Sequence, residues 1–246
     1  MRRMLRLMSQ SQWISLKYFY SRSTNTACWC MGFALILLCI GGIDGLFFAP
    51  ADYQQGDAFR IIYVHVPAAF MSMAIYGLMT ISALILFIWK IKLAEIFLKV
   101  SVPIGFWMTF LALATGSLWG KPMWGTAWIW DARLTSEFIL LCLYFAIIAI
   151  LNAISEPNKS ARTASMVVLI GAIDLPIIHY SVYWWNTLHQ GSTLLRWGQP
   201  TMDKMMLYPL FIMLAGFLFY TIGLIIYRAR TEILFRERKT QWVKDL

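Results

Sequence analysis

The sequence predicts an all-α, polytopic membrane protein with six transmembrane helices and both termini in the cytoplasm. Three observations lead there. Of 246 residues, 60% are hydrophobic and only 13% charged, against about 25% charged in an ordinary soluble domain. The apolar residues gather into six runs, each close to the ~20 residues a helix needs to cross hydrocarbon. The basic residues are also distributed unevenly between the segments that join those runs. In lipid every backbone N–H and C=O needs an internal partner, so a span is a helix or part of a closed barrel. Long continuous apolar runs select helices.

The six runs cover about 27–48, 67–89, 100–118, 136–153, 164–185 and 206–227, and the chain 1–246 reads as a single integral membrane domain. The first follows a basic tail. It is too long for the apolar core of a secretory signal, which is about 7–15 residues, and is expected to remain as an uncleaved span. The third has Pro103 in its first turn, where a missing N–H is tolerated. The fifth contains Asp174 and Pro176 and is expected to kink there. Cys28, Cys30, Cys39 and Cys142 all lie in or beside apolar runs. They read as small buried hydrophobes rather than disulfides or metal ligands.

Six spans put both termini on one side, and the basic residues choose which. On that side are Arg2, Arg3, Arg6, Lys17 and Arg22; Lys90, Lys92 and Lys99; Lys159 and Arg162; and Arg228, Arg230, Arg236, Arg238, Lys239 and Lys244. Opposite them are only Arg60, Lys121, Arg133, Arg196 and Lys204. Positive residues stay on the cytoplasmic side, so the net charge of +9 reports topology and no nucleic-acid partner is expected. Loops of about 49–66, 119–135 and 186–205 then face the far side.

Those far-side loops hold the candidate site. His65, in "RIIYVHVPAAF", sits at the mouth of the second span, and His189, in "WWNTLHQGST", lies just beyond the fifth. Two neutral imidazoles at one membrane depth can ligate a metal, or the iron of haem from its two faces. Interfacial histidines bonded to water or headgroups are the plain alternative. Between them in sequence, "WGKPMWGTAWIWDARLTS" crowds Trp119, Trp124, Trp128 and Trp130 into twelve residues, with Gly120, Pro122 and Gly125 turning the backbone. An ordinary interfacial belt scatters its indoles over many helix ends. A concentrated set offers a flat apolar surface with a polar edge, which suits a large planar amphiphile such as haem.

These residues resemble the tryptophan-rich WWD motif of the haem-handling family of cytochrome c maturation, and within it the six-span CcmC group. "FAPADYQQGDAFRIIYVHVPAA" and "LPIIHYSVYWWNTLHQGST" resemble the segments that carry that group's two ligand histidines, so the likeness covers about residues 48 to 193. Ala127 stands where another aromatic would be expected. The resemblance implies that His65 and His189 are the axial ligands of a haem b, held as transient cargo at the periplasmic face of the bacterial inner membrane. It implies that Trp119, Trp124, Trp128, Trp130 and Asp131 form the platform for the ring and the contact with CcmE, the periplasmic haem chaperone. CcmE then bonds the haem covalently through a histidine of its own. CcmA and CcmB, the ABC-type components, and the small protein CcmD are the further partners implied.

The remaining polar residues are read individually. Arg60 and Arg133 are candidate partners for the haem propionates, because a guanidinium grips a carboxylate through two parallel bonds. Anchoring a helix end, or an Arg133–Asp131 pair, is the alternative. His179 reads as a packed histidine. Asp174 reads as a protonated carboxyl bonded to a neighbouring helix. No nucleophile–base pair, phosphate loop or metal triad stands out, so no catalytic residue and no enzymatic activity are expected. The expected function is haem binding and delivery to CcmE. A haem transporter through the bilayer is the alternative, and a membrane b-type cytochrome is a third reading.

Overall fold

The structure, a computed structural model, describes residues 15–189 and 202–246. Arg2, Arg3, Arg6 and Arg196 lie outside the described residues. The chain forms α1 (Leu16–Ile43), α2 (Ile62–Trp89), α3 (Lys92–Trp124), α4 (Ala132–Ala153), α5 (Pro157–Gly171), α6 (Asp174–Trp184), α7 (Lys204–Glu237) and the short α8 (Gln241–Lys244). A π-helical turn, Asp44–Phe48, extends α1, and a 3-10 turn, Asp57–Ile61, leads into α2. Among the described residues six helical stretches are long and apolar enough to cross a membrane, α5 and α6 together counting as one.

The helices outrun the apolar runs in a consistent way. The polar stretch before residue 27 stays helical because no glycine or proline interrupts it. Its first turns are held by packing: the Phe19 ring meets Phe97 edge-on at 5.4 Å, and the Arg230 guanidinium lies 4.0 Å above the Tyr20 ring. Arg230 also donates to Ser23 Oγ at 3.1 Å. The basic segment expected between the second and third spans is mostly the start of α3. Lys90, in the left-handed conformation with φ 56°, and Ile91 alone turn the chain.

The far-side tryptophan segment differs from its expected loop over 119–135. Here α3 continues to Trp124 and ends where Gly125 adopts φ +76°. Pro122 lies inside this last turn and, having no N–H, leaves the Leu118 carbonyl without its i to i−4 donor just before the helix ends. Trp119 and Trp124 are therefore helical residues, and only the second half of the segment is a loop. The fifth span breaks at Ala172 and Ile173, between α5 and α6 and just ahead of Pro176, which has no N–H to donate a continued i to i−4 bond.

Helix α1 packs along α7, α2 along α3, and α4 and α5 close against them, with α6 on α4. Small residues permit the close approach that lipid-embedded helices rely on. A Cβ added at Gly216 would come 2.9 Å from Leu38 Cδ2. The main core joins Met71, Ile75, Met79, Ile104, Leu140 and Tyr144 at the α2–α3–α4 contact. All four cysteines are free, and only Cys30 is buried; Cys28, Cys39 and Cys142 lie on the outer surface. That is where an apolar thiol meets lipid, and it corrects the expectation that all four are buried.

Candidate haem cleft

The residues that position the site come from five segments. His65 stands in the first turn of α2, one turn past the 3-10 segment. Its Nδ1 is 3.0 Å from the carbonyl oxygen of Ala112 and 3.1 Å from Thr115 Oγ1, both on α3. A carbonyl only accepts, so Nδ1 carries the hydrogen and Nε2 keeps its lone pair. Thr115 in turn donates to Leu111 O at 2.6 Å. The imidazole can lie this close to α3 because residue 116 is glycine: a Cβ there would sit 3.0 Å from His65 Cε1.

His189 lies beyond the C-terminal end of α6, in a short turn where its N–H donates to Thr187 Oγ1 at 3.0 Å. Its ring centre is 6.3 Å from that of His65, with the planes tilted by 39°. Two imidazoles on opposite sides of one metal, each bonded at ~2.0–2.1 Å, place their ring centres about 6.3 Å apart. Residues 124 positions apart in sequence thus meet in one place, with their ring centres at a separation of that size.

Around this pair is a cleft of about 710 Å³, including its mouth, whose walls include Gln55, Gly116, Trp119, Trp124, Arg133 and Glu137 with the two histidines. The Trp119 indole meets His65 edge-on at 5.6 Å. It is fixed from behind by Gln55, whose Oε1 accepts from Trp119 Nε1 at 2.9 Å. Gln55 belongs to a tight loop in which Asp52 Oδ1 accepts from the Gln54 and Gln55 amides at 2.9 and 2.8 Å. Trp124 approaches His189 at 6.4 Å.

The other expected platform residues lie apart from the cleft lining. Trp128 and Trp130 pair edge-on at 5.3 Å, and both pack on Phe138 of α4 at about 6 Å. Trp130 is 72% exposed. Asp131 caps α4, its Oδ1 accepting from Leu134 N at 2.8 Å. The indole set is thus divided: two rings, carried on α3, face the histidines, and two form a separate aromatic cluster beside the helix end. The reason is the helical continuation to Trp124, which sends the loop residues past the cleft.

The two candidate arginines also separate. Arg60 is committed to Asp57 at 2.9 Å and to the Gly45 carbonyl at 2.8 Å, and does not line the cleft. Its role is to tie the 3-10 turn to the end of α1. Arg133 does line the cleft, and its Nη1 donates to the Ile178 carbonyl of α6. No ion pair joins it to Asp131 among the described residues. His179 packs edge-on against Tyr180 at 4.8 Å and stays out of the cleft. Asp174 is buried, and its Oδ2 has no hydrogen-bond partner among the described residues.

Sequence reasoning missed Gln55 and Glu137. Glu137 is 7% exposed and follows Arg133 by one helical turn, a spacing that in isolation resembles a surface ion pair. The signal that reveals it is its place in a run of otherwise apolar residues.

The chain is similar to known proteins of one family. The family described as CcmC, Heme exporter protein C, matches residues 9–244. The Heme exporter protein C of Escherichia coli (strain K12) is 50% identical over 213 residues, 87% of this chain and 86% of that protein. That of Haemophilus influenzae is 49% identical over 212 residues, 86% of each. A putative cytochrome c biosynthesis ccmC-like mitochondrial protein of Marchantia polymorpha is 44% identical over 213 residues, 86% of this chain and 90% of that protein. With two histidines converging in an indole-walled cleft at one end of a six-span bundle, this chain belongs to the CcmC family, the heme exporter protein C group involved in haem handling for cytochrome c maturation.

Proposed function

We propose that this chain holds haem b as transient cargo and presents it to the periplasmic chaperone CcmE. His65 and His189 are the axial ligands. Trp119 and Trp124 flank the ring, and Arg133 takes a propionate. Trp128 and Trp130, with Asp131 ordering the end of their loop, form the neighbouring surface on which the chaperone docks. The site faces the periplasm from the inner membrane, both termini are cytoplasmic, and the chain works beside CcmA, CcmB and CcmD without catalysing a reaction of its own.

The observation that carries this reading is the 6.3 Å separation of the two imidazoles, together with the hydrogen bond that leaves His65 Nε2 as a ligand. The indoles contribute dispersion and exclude water from the ring, while the open mouth leaves an edge available for transfer. Asp174 and His179, the polar groups that a path through the bilayer would use, do not line this cleft, which favours holding and delivery over translocation.

The test is the absorption spectrum of the purified protein beside His65→Ala and His189→Ala. The expected result is six-coordinate, low-spin haem in the wild type and loss of that signature in each variant. An unchanged spectrum in either variant would overturn the ligation.

A further inference from the structure

Glu137 places a second acid in a cleft whose cargo is itself anionic. The residue is buried on the wall of the cleft, one turn of α4 below Arg133, which lines the same wall. Arg133 offers five N–H donors, of which one is used, toward Ile178 O, among the described residues. Neither residue is in a direct ion pair within 4.0 Å among the described residues. The guanidinium is therefore open to a carboxylate from the cleft side, and Glu137 is the carboxyl one helical turn from it on the same wall.

The partner of Glu137 is Ser72, whose Oγ is 2.7 Å from Glu137 Oε1 and 2.8 Å from Ala69 O. A hydroxyl has one hydrogen and two lone pairs. It can give the hydrogen to an ionised Glu137. It can equally give it to the Ala69 carbonyl and accept a hydrogen from a protonated Glu137. Ser72 is itself fully buried, so both arrangements are available without water. The pair is built to support either state of the carboxyl.

We propose that Glu137 is an internal competitor of the cargo carboxylate for Arg133. Before cargo arrives, the Glu137 carboxylate balances the guanidinium. When a propionate takes Arg133, one guanidinium faces two acids in a water-poor wall, where two like charges cannot both persist. Glu137 then takes one proton from solvent and turns to Ser72 as a donor. The competition lowers the grip on a dicarboxylate cargo and so sets how readily it leaves. This rests on the haem-binding reading above and adds a release-tuning residue to it.

The experiment measures cargo loss from detergent-purified, haem-loaded full-length protein to excess apomyoglobin. Wild type is compared with Glu137→Gln, which keeps an acceptor for Ser72 but carries no charge. The measurement is repeated with haem dimethyl ester, which lacks free carboxylates. The expected result is haem loss at least about tenfold slower from Glu137→Gln, as removing a like charge from a desolvated site predicts, with no difference for the ester. Should Glu137→Gln not fold, Glu137→Met, which is uncharged and of similar length and leaves the Ser72 hydroxyl bonded to Ala69 O, is expected to slow haem loss in the same sense and again to leave the ester unaffected. Equal rates for haem in wild type and variant, or an equal slowing for haem and ester, would overturn the proposal. A wild type that takes up neither ligand would overturn the haem reading and this inference with it.

Discussion

Gly116 is the residue that fixes where the His65 ring can lie. A methyl group there would press on Cε1 at 3.0 Å, closer than carbon atoms settle, and the ring would have to move by a few tenths of an ångström. Its Nδ1 is held to Ala112 O, so the displacement tilts the imidazole and changes its setting against the His189 ring, now 6.3 Å away. Gly116→Ala is therefore expected to leave folding intact and to weaken haem retention about tenfold, since sites of this kind tolerate only ~0.5 Å of misplacement. Haem content of the purified variant, with its low-spin band, checks this; wild-type content would show that the ring has slack. At this scale the sequence reveals chemistry more readily than contact. His65 and His189 are legible because imidazoles beside apolar runs are rare and have few uses. Gln55 is not, because a loop amide carries no periodic signal and its partner, Trp119, is 64 residues away.

At the scale of elements, the extension of α3 to Trp124 decides which indoles serve the cleft. Hydropathy marks where apolar residues stop, whereas a helix stops where the backbone must leave the right-handed region, and here that is Gly125. The six spans were legible for that reason and the division of the tryptophan segment was not. The next element begins with Asp131, whose side chain caps α4. This helix carries both Arg133 and Glu137 in its first two turns, so its fraying would loosen the charged wall of the cleft. Asp131→Ala is expected to cost about 1 kcal/mol, as loss of an N-cap does. Asp131→Asn, which retains a capping oxygen, should restore most of it. Thermal unfolding in detergent and haem retention should move together across the two variants. If Asp131→Asn loses haem as fully as Asp131→Ala while its melting point recovers, the residue acts through its charge and not through the helix.

The whole molecule has two polar ends with different tasks. Opposite the cleft, Lys99 and Arg236 share Glu232 at 2.8 and 2.7 Å, and Arg236 also meets Glu95 at 2.8 Å. This network ties the beginning of α3 to the end of α7. It stands 17 residues along α3 from Gly116, or about 25 Å at 1.5 Å per residue, with the apolar core of α2, α3 and α4 between. Coupling across that distance would need a second packing of the helices, and the interlocked ring of Tyr144 beneath Gly105 holds α3 and α4 in one. Stability and cargo binding are therefore expected to separate. Glu232→Gln removes the shared acceptor of two cations, one of them largely shielded from solvent, and should lower stability by about 1–3 kcal/mol. The haem spectrum and the rate of haem loss should stay at their wild-type values. A calorimetric or thermal-shift melt alongside the apomyoglobin trap measures both quantities on one preparation. A change in haem loss that accompanies the change in melting would mean that the network end and the cleft share a bistable element, and that the bundle transmits between its two faces.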